Sequence, residues 1–327
     1  MNVKWTRDAT VWLLVLILCA SVGVWLIMRV PAVVEQTTTQ ATVPEPAEKT
    51  YTIAAVGDAV CSPAARITPV TCKMQEVADG VKAANPDAVL LLGDLQYENG
   101  ELSSFNTVFD KTWGGQSAVI KPTPGNHEYN TKNATGYYTY FQQKNVETGG
   151  SDKGYYAFSV GDWRIISLNS NCEFIGGCEE GSDQADWLQK ELQEHPTQCT
   201  IAYWHHPVFS SGPHGLEEKS NARGRYFWSQ LQKAGAELVL VGHDHNYERF
   251  VAQSVDGTKD DKGIRQFVVG TGGKNLYPPR NPLANNSEYS NGTAFGFLKL
   301  KLAKSSYSWE FVTIDTKVLD SGSGKCK

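Results

Sequence analysis

Five short segments of this 327-residue chain place carboxylates and imidazoles directly after apolar runs. They are Gly57-Asp58, Gly93-Asp94 with Tyr97, Gly125-Asn126-His127-Glu128, His205-His206-Pro207 and Gly242-His243-Asp244-His245. Five of the 7 histidines fall in them; His214 lies a few residues beyond the fourth, and only His195 ends an amphipathic stretch. Oxygen and imidazole donors together suit iron, zinc or manganese better than calcium. Two aspartates and three or more histidines exceed the four ligands of one tetrahedral zinc but suit two metals about 3.5–4 Å apart, with a carboxylate shared between them. Such a pair activates water and clamps the oxygens of a phosphoryl group. Taken singly, each residue has a plainer reading: Asp58 and Asp94 as helix caps, Asn126 in a turn, His127-Glu128 as surface, Tyr97 as packing.

The elements that must position these residues follow from the pattern around them. YTIAAVG, AVLLLGD, SAVIKPTPG, TIAYWHHP and AELVLVGHDH are short, nearly continuous apolar runs, as expected of strands covered on both faces. Helical patterns are expected near Cys72–Ala84, Glu101–Phe109, Ser182–His195 and Ala222–Ala234. YYAFSV and WRIISLNS form a strand pair turning at Gly161-Asp162, and IRQFVVGTGG, TAFGFLKLKL and SWEFVTI add further strands without long helices between them. The class is α/β with a mostly antiparallel portion near the C-terminus. Asp58, Asp94, Asn126, His205 and His243 then stand at strand ends, where open α/β sheets place their sites.

The motifs GD, GDLQY, GNHE, HHP and GHDHNYER, in this order, resemble the calcineurin-like metallophosphoesterase superfamily, most closely its purple acid phosphatase branch. The resemblance covers residues 51–314 and implies a layered α/β-β/α sandwich of two mixed sheets. It implies that Asp58, Asp94, Tyr97 and His245 hold a first metal, and that Asn126, His205 and His243 complete a second with Asp94 bridging. A phenolate is a hard donor of high intrinsic pKa, so Tyr97 argues for Fe(III), beside a second divalent ion (Fe, Zn or Mn). The implied reaction is hydrolysis of phosphate monoesters by in-line attack of metal-bound hydroxide. His127 would contact the phosphoryl group, and His214 would protonate the leaving group with His206 as the competing donor. Val60 departs from the DxH form of diesterase and nuclease relatives. A phosphodiesterase or nucleotide pyrophosphatase using the same metals, and a non-catalytic surface binding protein, are the alternatives.

The N-terminus differs in kind. Val11–Met28 is an uncharged apolar run flanked by Lys4, Arg7 and Arg29. At about 1.5 Å per residue it is long enough for a transmembrane helix. Residues 1–30 are expected to be a signal anchor, or a signal peptide if cleaved, and 31–50 a flexible linker. The body, 51–315, would lie outside the cytoplasm, membrane-anchored or secreted, with 316–327 as a polar tail. Cys61/Cys72 and Cys172/Cys178 fit local disulfides of an oxidising compartment, whereas Cys199 reads as a small buried side chain and Cys326 has no evident role. Asn133, Asn285 and Asn291 lie in glycosylation sequons. With 30 Lys+Arg against 35 Asp+Glu, no nucleic-acid partner is expected. The expected partners are a small phosphorylated substrate and the membrane, with the chain a monomer.

Overall fold

The computed structural model describes residues 48–327, which fall within one compact unit. The apolar run Val11–Met28 and most of the linker lie outside them. Among the described residues, no helix is long and apolar enough to cross a membrane.

Among the described residues, thirteen strands form two mixed sheets. The first is built from β1 (Tyr51–Val56), β2 (Ala88–Leu92), β3 (Ile120–Thr123), β11 (Gly296–Leu302), β12 (Ser306–Thr313) and β13 (Val318–Lys325), ordered β13-β12-β11-β1-β2-β3. The second contains β4 (Tyr156–Val160), β5 (Trp163–Ser167), β6 (Cys199–Tyr203), β7 (Leu238–Val241), β8 (Tyr247–Phe250), β9 (Arg265–Val269) and β10 (Ser287–Asn291), ordered β10-β8-β9-β7-β6-β5-β4. β1, β2 and β3 are mutually parallel, as are β5, β6, β7 and β9.

The continuous apolar runs follow from burial on both faces. Alternation along each strand sends Ile53, Ala55, Leu90 and Leu92 into the layer between the sheets, where they meet Ile201, Leu240 and Phe267. Ala54, Val56, Val89 and Leu91 point the other way, towards the helix Met74–Ala83 and its neighbours. On the far side of the second sheet, Ala202, Val239 and Val241 pack with Leu188, Phe227 and Trp228 from the helices Asp183–Glu194 and Arg225–Lys233. Truncating one fully buried leucine here, such as Leu90, costs about 2–5 kcal/mol.

The layered sandwich of two mixed sheets is the expected one, with three local differences. Thr135–Gln143 is a helix that the periodicity did not announce, because five of its nine residues, including Tyr137, Tyr140 and Phe141, are buried and blur any polar face. β8 follows the GHDH segment at once, antiparallel to β9. Residues 316–327, expected as a polar tail, supply β13, the edge strand beside β12. Cys326 bonds Cys199, so the end of the chain is stapled to β6. The Cys61–Cys72 and Cys172–Cys178 bridges are also present.

Candidate metal centre

β1, β2, β3, β6 and β7 end towards one crevice and deliver Asp58, Asp94, Asn126, His205 and His243 to it. Asp58, Asp94 and His243 have positive φ (58°, 49° and 71°), a left-handed turn that Asp and His tolerate better than most residues. The preceding glycines answer to close approach. A Cβ on Gly93 would lie 2.5 Å from His205 Nδ1, and one on Gly125 would lie 2.2 Å from Asp94 Oδ1.

The side chains form two groups. In the first, the Tyr97 hydroxyl lies 2.8 Å from Asp58 Oδ1, 2.9 Å from Asp94 Oδ2 and 2.9 Å from His245 Nε2. In the second, His205 Nε2 lies 3.1 Å from Asn126 Oδ1, 3.1 Å from His243 Nδ1 and 3.3 Å from Asp94 Oδ2. Asp94 Oδ2 is common to both.

The donor set suits metal ions. His205 Nδ1–H donates to Leu92 O and His245 Nδ1–H to Asn275 O, so each ring turns its Nε2 towards the carboxylates. Pinning one ring nitrogen to a carbonyl is how metal-binding histidines are commonly oriented. Asp58, Asp94 and His205 have ligand atoms within 4.8 Å of one another, as do His205, His206 and His243. Charge points the same way. Burial opposes ionisation of Asp94, yet the charge and hydrogen bond of His205 hold its carboxyl well below the usual range. Burial also opposes a proton on His205, but Asp94 carries that imidazole up to about 9. Burial and then the Asp58 and Asp94 carboxylates push the Tyr97 phenol far up. In the metal-free chain, protons on Tyr97 and His205 thus answer charge that a cation would otherwise answer.

Residues 52–247 match the family described as calcineurin-like phosphoesterase. The chain belongs to that family. Probable purple acid phosphatase 20 of Arabidopsis thaliana is 30% identical over 207 residues, covering 57% of this chain and 45% of the relative. Purple acid phosphatase 21 of the same plant is 26% identical over 253 residues, covering 71% of this chain and 55% of the relative. The chain therefore spans about half the length of these relatives. Among solved structures, purple acid phosphatase PPD1 from yellow lupin seeds shares the fold at TM-score 0.70 and 19% identity, over 85% of this chain and 54% of that one.

Around this centre, the remaining candidates separate by their bonds. His127 is at the rim: its ring packs 4.3 Å from that of Tyr97, its N–H donates to Asp94 Oδ1, and its Nε2 is 3.8 Å from Asp94 Oδ2. The His214 ring lies 4.1 Å from that of His243, with Nδ1 2.7 Å from Glu217 Oε1. His206 is placed differently. Arg223 Nη1 donates to its Nε2 and its Nδ1–H donates to Ser170 Oγ, so both ring nitrogens are engaged inside the protein. That pairing disfavours it as the leaving-group donor.

Three further residues had no clear sequence signal. Glu128, fully buried, accepts N–H bonds from Asp94, Leu95, Gln96 and Gly125, clamping the GDLQY and GNHE loops together. Burial and the Asp94 charge push its acid up to about 7, against the pull of the Gly125 and Gln96 N–H groups. Asp244 accepts from the Ser210 hydroxyl and from His214 N–H, which fixes the loop carrying His214. Tyr277 stacks flat on His245 at 4.2 Å.

Proposed function

We propose that this chain hydrolyses phosphate monoesters at two metal ions. The observation that carries the reading is Asp94 Oδ2, the atom that both donor groups share. Asp58, Asp94, Tyr97 and His245 would hold one ion, Asp94, Asn126, His205 and His243 the other, with Tyr97 favouring Fe(III) and a second divalent ion (Fe, Zn or Mn) beside it. When bound, such a pair supplies Lewis acidity and a nucleophile derived from water. The protein's own share is orientation and proton supply. Asn126 and His127 face the crevice where a phosphoryl group would be held, and His214, on its clamped loop, would donate the proton that the departing alkoxide needs.

Three disulfides among the described residues support a working place outside the cytoplasm, membrane-anchored or secreted, where such bonds persist. The discriminating assay compares kcat/KM of the metal-reconstituted chain on an aryl monoester, a bis-aryl diester and ATP. The reading predicts that the monoester is preferred. A larger value on the diester or on ATP would favour a phosphodiesterase or pyrophosphatase, and no turnover of any would reduce the chain to a binding protein.

A further inference from the structure

Behind the loop that carries His214 lies a second, polar cavity of about 520 Å³. Its wall includes Ser210 and Gly215, which flank that loop, and Arg280, whose backbone N–H donates to Ser211 O. Two arginines line it, Arg225 and Arg280, against a single carboxylate, Asp256, whose Oδ1 accepts from Ser254 Oγ and Thr258 N–H. The arginine ion pairs among the described residues involve Arg164, Arg223, Arg249 and Arg265, leaving these two without a carboxylate partner; Arg225 Nη1 donates to Val255 O, which leaves its charge uncompensated.

The cavity also gathers buried polar atoms that no protein group satisfies. Gln253 is 0% exposed; its Oε1 accepts from Asn286, which fixes the amide orientation, and its Nε2 has no partner. Arg280 Nε is likewise buried without an acceptor. Asn221 donates Nδ2–H to Gly215 O, leaving Oδ1 as an unmet acceptor. Unmet buried donors cost free energy, so their concentration beside two guanidinium groups that have no carboxylate partner calls for an anionic acceptor. Asn221 Oδ1 asks that this anion also carry a proton, which a hydrogen phosphate has and sulfate at neutral pH lacks.

We propose that this cavity is a binding site for a phosphate oxyanion, separate from the metal centre, held by Arg225, Arg280 and Gln253 with Asn221 receiving its hydroxyl. Only its effect on turnover rests on the phosphoesterase reading. The oxyanion has two possible sources, free inorganic phosphate and a second phosphate group on the substrate.

The test is calorimetric titration of inorganic phosphate into the full chain carrying Asp94→Asn, which disables the metal centre. One phosphate should bind, more tightly than sulfate. Adding Arg225→Gln and Arg280→Gln should weaken it by about 30-fold or more, and Gln253→Leu, which keeps both charges, by about fivefold, as expected for lost charge-assisted and neutral contacts. No phosphate binding by the Asp94→Asn chain, or equal binding after the arginine substitutions, overturns the proposal. Should Asp94→Asn fail to fold, the unmodified metal-loaded chain carries the same test, since the arginine substitutions should remove one of two phosphate equivalents. Kinetics then assign the source. If kcat/KM of the double arginine variant falls about tenfold only on a bisphosphorylated substrate, the site reads the substrate; if both bisphosphate and simple aryl phosphate stay within about twofold, the site takes free phosphate. Failure of the phosphoesterase reading would appear instead as absent turnover in every variant, with the binding result intact.

Discussion

Glu128→Ala is the perturbation whose size follows most directly from the structure. The two carboxylate oxygens accept four backbone N–H bonds, at 2.9, 2.9, 3.2 and 2.7 Å, from the two loops that present Asp94 and Asn126. Alanine leaves all four donors without a protein acceptor at a position of 0% exposure. At about 1–3 kcal/mol for each unmet group the gross cost is roughly 4–12 kcal/mol. Water entering the vacated space recovers part of it, so a net loss of about 4 kcal/mol is expected. For a domain of this size that lowers Tm by roughly 8–16 °C. Because the loops carry the proposed ligands, kcat/KM on an aryl phosphate should also fall by about 10–100-fold, as for other groups that orient metal ligands. Differential scanning calorimetry and steady-state kinetics on the same preparation measure both. A Tm within 2 °C of the parent (roughly 1 kcal/mol or less) together with unchanged kcat/KM would refute the clamp.

Two other perturbations separate chemistry from scaffold. His214→Ala should cost about 10²-fold on an alkyl phosphate but little on a nitrophenyl phosphate, whose leaving group needs no proton; equal losses on both would remove His214 as the donor. Asp320 joins the sheets, its Oδ2 accepting from Tyr247 OH and Arg249 Nε on β8. Burial would raise its acid, but Arg249 and Tyr247 hold it below the usual value of 3.8. Its contribution is therefore present above that value and lost as pH falls through the lower folded pKa. Asp320→Asn should lower Tm at pH 7 and converge with the parent in strong acid; a gap that persists unchanged at low pH would contradict this.

Strand-end glycines made the crevice legible in the sequence. Gly93 and Gly125 mark places where another motif's side chain occupies the space a Cβ would need, and each precedes a residue that the fold brings to one point. The residues that hold those loops were harder to read. Glu128 looks like any polar surface residue until Asp94 and Gly125 close around it, and Asp244 acquires its role only through Ser210 and His214, more than 29 residues earlier in the chain. The Cys199–Cys326 bridge spans 127 residues, beyond any spacing argument. Polar alternation in SGSGK, next to an apolar strand partner, is why β13 resembled a tail.

The most direct test of the two-metal account is metal content with the visible spectrum of the intact purified protein, beside a Tyr97→Phe variant. The account predicts two metal equivalents per chain, one of them iron, and a visible tyrosinate-to-iron band that the variant loses. One equivalent or none, or a band that survives in Tyr97→Phe, would contradict it.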